Sequence, residues 1–171
     1  PASRAADVFA HAQSAYWIGF VAWRLGDTPL AARAFGRYDQ LADALLKHAP
    51  NKPDWLLEKG YAQSNLGMIA LREARDWPRA RAYFQRARDI FAELAKHTPD
   101  DATLSYELAD ADAWLADTAR LGGDLDAAER YRAEQRRVLD RLVAQDGANR
   151  LYRIDLVSNL LGRARIAHAR G

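Results

Sequence analysis

The chain of 171 residues contains no cysteine. That removes disulfides, thiol nucleophiles and thiolate metal sites, and it says nothing about compartment. No apolar run approaches ~18 residues, so no segment reads as a membrane-spanning helix. No signal-peptide pattern opens the chain. An excess of one charge is missing too. Twenty-five basic residues face 23 acidic ones, for a net +2, which gives no chain-wide pull toward nucleic acid. The sequence has no H-E-x-x-H, G-x-S-x-G, G-x-x-x-x-G-K-[ST] or G-x-G-x-x-G pattern, so the familiar hydrolytic and nucleotide-binding chemistries have no anchor. An initiator methionine is also lacking, and helix-like sequence begins at once after Pro1. A piece of a longer protein is the expectation, although methionine removal before Pro1 would look the same.

What is present repeats. "GDTPLAARAF" begins at Gly26, "RDWPRARAYF" at Arg75 and "GDLDAAERYR" at Gly123. Asp27, Asp76 and Asp124 are 49 and 48 residues apart, and Pro50 and Pro99 keep the same step. "LLKHAP" and "LAKHTP" are one phrase used twice. Self-similarity at a fixed period of about 20–50 residues marks a repeat array. Within each unit the period is helical. Ala31, Ala34, Phe35, Tyr38, Leu41, Ala42 and Leu45 recur as Ala80, Tyr83, Phe84, Ala87, Ile90, Phe91 and Leu94, at the three- and four-residue spacing of one helix face. The third copy keeps Ala128, Tyr131, Val138, Leu139 and Leu142 but carries Arg132 and Gln135 at apolar places. That dilution predicts a last unit that is more exposed or differently packed.

Start and stop signals divide the chain into seven helices near 4–25, 28–48, 54–74, 77–97, 101–121, 125–145 and 149–169. Asp27 or Thr28, Asp54, Asp76, Asp101 and Asp124 are expected to cap them, because a carboxylate accepts orphan N–H groups at the positive helix end. Pro29 and Pro78 fit a first turn, where a missing N–H costs little. Gly122 and Gly123 predict an interhelix turn with positive φ. Short connections make successive helices antiparallel neighbours. The expected fold is all-α: a solenoid of helix hairpins over 1–171, with repeats at about 4–53, 54–100 and 101–148 and a terminal helix over 149–171. Gly19, Gly67, Ala116 and Gly162 are small enough to let a neighbouring helix approach. Trp17, Leu66 and Trp114 fall at matching places in the first helices, and Trp17, Trp55, Trp77 and Trp114 read as core.

These features resemble the tetratricopeptide repeat: Asn65-Leu66-Gly67, the Gly-Asp or Arg-Asp turn, Ala31, Ala80 and Ala128, and the aromatics Phe35, Phe84 and Tyr131. The period is longer than the usual 34 residues of that family. It is similar to the long-repeat arms of bacterial multidomain signalling proteins. The resemblance implies a non-catalytic interaction or scaffold module without cofactor or metal, binding a peptide, a helix or a neighbouring domain. The alternative it leaves open is a self-association element joining copies through their end helices. It implies a concave groove lined by the first helix of each unit, with Tyr16, Trp23, Asn65, Arg72, Arg120 and Asn159 as its candidate residues. The compartment stays open: the cytoplasm is favoured, and a membrane-crossing helix ahead of Pro1 would allow the periplasm.

Other constellations have plainer readings. Lys47-His48 and Lys96-His97 suit the last turn of a helix, whose negative end attracts cations, and two such turns about 10 Å apart would not share an ion. Asp110 and Asp117 lie seven residues apart on one helix face while Asp112 points elsewhere. Acid–base work is one use of such a pair; pairing with arginines of a neighbouring helix is the simpler one. Residues 131–171 hold nine basic and four acidic side chains, among them Arg136, Arg137, Arg141, Arg163, Arg165 and Arg170. They lack interleaved exposed aromatics, so pairing within the chain or contact with an acidic neighbouring domain fits them better than nucleic acid.

Overall fold

The computed structural model describes residues 2–73 and 75–171. The described residues form seven helices: α1 (Ala2–Arg24), α2 (Thr28–His48), α3 (Pro53–Arg72), α4 (Trp77–His97), α5 (Ala102–Leu121), α6 (Leu125–Gln145) and α7 (Arg150–Arg170). No strand occurs among them. The fold is all-α, built of consecutive helices packed as hairpins. None of the helices is long and apolar enough to cross a membrane.

The helix starts follow the capping chemistry. Asp27 accepts from the Leu30 N–H at 3.0 Å, Asp76 from Arg79 at 3.0 Å, Asp124 from Ala127 at 3.0 Å, and Asp101 from Thr103 and Leu104 at 2.8 and 3.0 Å. Asn149 does the same for α7 through Leu151. Asp54 does not cap. Pro53 opens α3, Lys52 is the cap residue without a side-chain bond, and Asp54 lies one residue too far along to reach back; its charge still suits the first turn.

The turns after α1, α3 and α5 each hold one residue in the left-handed region: Gly26 (φ 81°), Arg75 (φ 50°) and Gly123 (φ 85°). Asp27 and Asp124 then donate five residues back, to Ala22 and Ala119, whereas Asp76 donates six back, to Ala70. One extra residue therefore closes α3. The true step between first helices is 48 from α1 to α3 and 49 from α3 to α5. Packing agrees: a Cβ at Gly19 would strike the Phe35 ring at 2.7 Å, and one at Gly67 the Phe84 ring at 2.7 Å.

The chain divides into two compact units, Pro1–Ile90 and Phe91–Gly171. In the first, α1 packs on α2 and α2 on α3. Ala12 and Ala15 meet Tyr38 and Leu41, and Ala22 meets Ala31 and Phe35. Phe35 and Phe84 are fully buried, worth about 2–3 kcal/mol each. In the second unit, α5 packs on α6 and α6 on α7. Ala109 meets Val138, Leu139 and Leu142, and Ala119 meets Ala127, Ala128 and Ile166.

Of the two alternatives for the last unit, different packing holds and exposure does not, and one core assignment is overturned. Arg132 and Gln135 are not exposed; they retain 4% and 3% of their surface, because α5 and α7 supply polar partners for them. Trp17 is not core. It is 56% exposed, with its ring against Tyr16 and Phe20 of its own helix rather than against α2. Trp55 is buried, at 9%, and Trp77 and Trp114 are half-buried.

Candidate functional site

Within the second unit, the first-position helices α5 and α7 bracket a cleft of about 310 Å³ floored by α6. Tyr106, Asp110, Ala113, Trp114 and Asp117 enter from α5. Arg132, Gln135 and Leu139 form the floor. Asp155, Ser158, Leu161 and Arg165 close it from α7. The helical spacing of 106, 110, 113, 114 and 117 puts the α5 residues on one stripe.

Its polar side chains are held from behind. The Arg132 guanidinium donates to Asp117 at 2.8 Å and to Gln135 Oε1 at 2.9 Å. The Asn159 amide donates to the same Gln135 oxygen at 2.8 Å and to the Arg132 carbonyl at 2.8 Å. Gly162 makes room for this layer, since a Cβ there would run into the Arg132 guanidinium. Tyr106 donates to Asp155 at 2.7 Å across the two helices, and the Trp114 indole N–H donates to Asp110 at 3.0 Å. Burial pushes the Asp110 carboxyl up to about 6, and the neighbouring Asp155 charge adds to it, against the Trp114 bond and the Arg132 charge. Burial and the bond to Asp155 push the Tyr106 hydroxyl up as well.

The six groove candidates separate. Asn159 is fully buried in the polar layer beneath the cleft and offers no surface to a ligand, because both its amide bonds are spent inside. Arg120 is half-buried with its Nε 3.9 Å from Asp117, beside the cleft rather than in it. The other four belong to the first unit. Tyr16 is half-buried in an aromatic cluster, 5.1 Å from Trp17, 6.2 Å from Phe20 and 5.7 Å from Tyr38. Trp23 has the Arg72 guanidinium over its ring at 5.7 Å. Asn65 donates to the carbonyl of Tyr61 in its own helix at 2.8 Å. With the 48-residue step, Asn65 is the counterpart of Trp17 rather than of Tyr16, and Leu66 that of Ile18.

Asp110 and Asp117 do share the cleft, and Asp117 takes its arginine from the neighbouring helix. Trp114, Tyr106 and Asp155 were missed as site residues. The available signal was polar: Arg132 at the place of Phe35 and Phe84 implies a carboxylate opposite. His48 and His97 are exposed last residues of α2 and α4, His97 lying 3.7 Å from Glu93. Among the described residues, no group of three or more His, Asp or Glu side chains is placed to hold a metal ion. Compared with known proteins, the chain matches no family model and no curated relative.

Proposed function

We propose that the chain is a non-catalytic protein–protein interaction module of the tetratricopeptide kind, serving a bacterial signalling protein, whose first-position helices hold a peptide, a helix or a neighbouring domain. What carries this reading is the α5–α6–α7 cleft. Its carboxylates and aromatic rings are fixed by hydrogen bonds before any ligand arrives, so little side-chain entropy is lost on association.

The test selects peptides from a random display library on the intact chain and measures their affinity for variants. Trp114→Ala and Asp155→Ala should each weaken selected peptides by about ten-fold or more, the cost of a central contact. Binding that survives both and is lost only in Ile18→Ser/Val21→Ser would overturn the cleft. It would favour the second reading, self-association through α1, which has its own support. Ile18 and Val21 are each 51% exposed, at the positions where Leu66 and Ile69 pack onto α2.

A further inference from the structure

We propose, resting on the reading of the α5–α6–α7 cleft as a binding site, that this cleft takes a basic side chain. An arginine or lysine of the bound segment places its charged nitrogen between Asp110 of α5 and Asp155 of α7. Both carboxylates line the cleft and both are half-buried. Each accepts from one neutral donor: Trp114 at Asp110 Oδ2 and Tyr106 at Asp155 Oδ2. The two Oδ1 atoms accept nothing among the described residues, and neither carboxylate has an ion pair there.

The first unit shows what this place normally holds. Gln13 of α1 and Glu58 of α3 stand 97 residues before Asp110 and Asp155. There the pair is complementary. The Gln13 amide donates to Glu58 at 2.7 Å, and Tyr38 of α2 donates to the same oxygen at 2.6 Å. In the second unit both donors are replaced. Asp110 stands for Gln13, and Gln135 stands for Tyr38. A donor facing an acceptor has become an acceptor facing an acceptor. Burial, and then the Asp155 charge, push the Asp110 carboxyl up to about 6. A cation between the two supplies the missing donors and relieves their repulsion.

The two cations of the lining do not do this. Arg132 is spent on Asp117 at 2.8 Å and is 4% exposed. Arg165 lies ten residues beyond Asp155 on α7, about 15 Å of helix rise, and has no ion pair among the described residues. The Asp110–Asp155 end is left negative. The rest of the lining suits the stem of a long side chain. The Trp114 and Tyr106 rings are each tied by their polar atom to a carboxylate and offer flat apolar walls to methylene groups. Gln135 is 3% exposed, and its Oε1 is taken by Arg132 and Asn159. The donor half of that amide is left for a carbonyl of the ligand. A volume of about 310 Å³ is at the small end of ligand sites and suits one side chain.

Other occupants answer poorly. An acidic side chain would add a third charge of the same sign. An apolar one would strip water from two carboxylate oxygens and return no hydrogen bond.

The experiment titrates the isotope-labelled whole chain with acetyl-arginine methylamide and with its citrulline counterpart, which keeps the shape and loses the charge. The reporter is the NMR signal of the Trp114 indole N–H. It should shift saturably with the arginine probe, with a Kd below about 10 mM, at least about ten-fold tighter than the citrulline probe and weakened by salt. Asp110→Asn and Asp155→Asn keep an acceptor for Trp114 and Tyr106 and remove one charge. Each should lower the affinity about ten-fold while helix content stays unchanged. An equal response to the two probes, no saturation, or indifference to both variants would sink the proposal. Peptides selected from the display library separate it from the reading it rests on. Peptides that lose affinity in Trp114→Ala yet carry no basic residue would leave the cleft a binding site and overturn the cation. An arginine probe held in the cleft when no peptide is selected would keep the cation site and overturn the peptide module.

Discussion

Arg75 holds a backbone conformation that its counterparts leave to glycine. Gly26 and Gly123 close α1 and α5 with positive φ, and Arg75 does so at 50° after α3. A side chain in the left-handed region costs about 1 kcal/mol or more, and glycine returns part of that through a more flexible unfolded chain. Arg75→Gly should therefore stabilise the protein by about 0.5–1 kcal/mol, and Gly123→Ala should destabilise it by a similar amount. Urea midpoints at constant m-value check both, and a stabilising Gly123→Ala would contradict the turn geometry. The sequence aligned these three positions through the aspartates that follow them. What it did not reveal is the extra residue that makes Asp76 reach six positions back. That single residue shifts the equivalence of α1 and α3, and it is why Asn65 belongs with Trp17.

At the scale of the element, helix contact is decided by where a Cβ is missing. Gly67 faces the fully buried Phe84 ring, so alanine there must push an aromatic in a packed core. Overpacking outweighs the better helix propensity, and Gly67→Ala should cost about 1–2 kcal/mol. Gly36 in α2 has no atom within 4 Å of its absent Cβ. The same substitution there should gain about 0.5–1 kcal/mol. Thermal unfolding of the two variants should thus move in opposite directions; a shared sign would mean that propensity rather than packing governs the interface. Helix number and boundaries were legible because the apolar stripe, the capping aspartates and the prolines all repeat. The floor of the cleft was not. Hydrophobic periodicity reads Arg132, Gln135 and Asn159 as surface, yet a buried polar layer is stable once each group finds a partner on a neighbouring helix. Only the spatial meeting of α5, α6 and α7 supplies those partners.

At the scale of the whole chain, each unit carries a carboxyl in an apolar setting. Glu58 accepts from Tyr38 at 2.6 Å and from Gln13 at 2.7 Å, and burial still raises its pKa. Asp110 rises to about 6 from a usual 3.8. An acid whose folded pKa exceeds its unfolded one keeps its proton longer in the folded state. Stability is then unaffected by Asp110 below about pH 4 and declines as pH climbs toward 6; above that the full cost of a buried carboxylate is present. Glu58 acts in the same direction. The chain should accordingly lose stability through these two groups as pH rises from about 4. Asp110→Asn isolates the effect, since the amide oxygen still accepts from Trp114. It should stabilise the protein by about 1–3 kcal/mol at pH 7.5, with the advantage fading to near zero at pH 4. Urea unfolding of both proteins at the two pH values decides the matter. A variant equally destabilised at both would mean that Asp110 is held charged by a favourable partner, and the cleft would then be a neutralised structural layer rather than a site keeping unspent charge for a ligand.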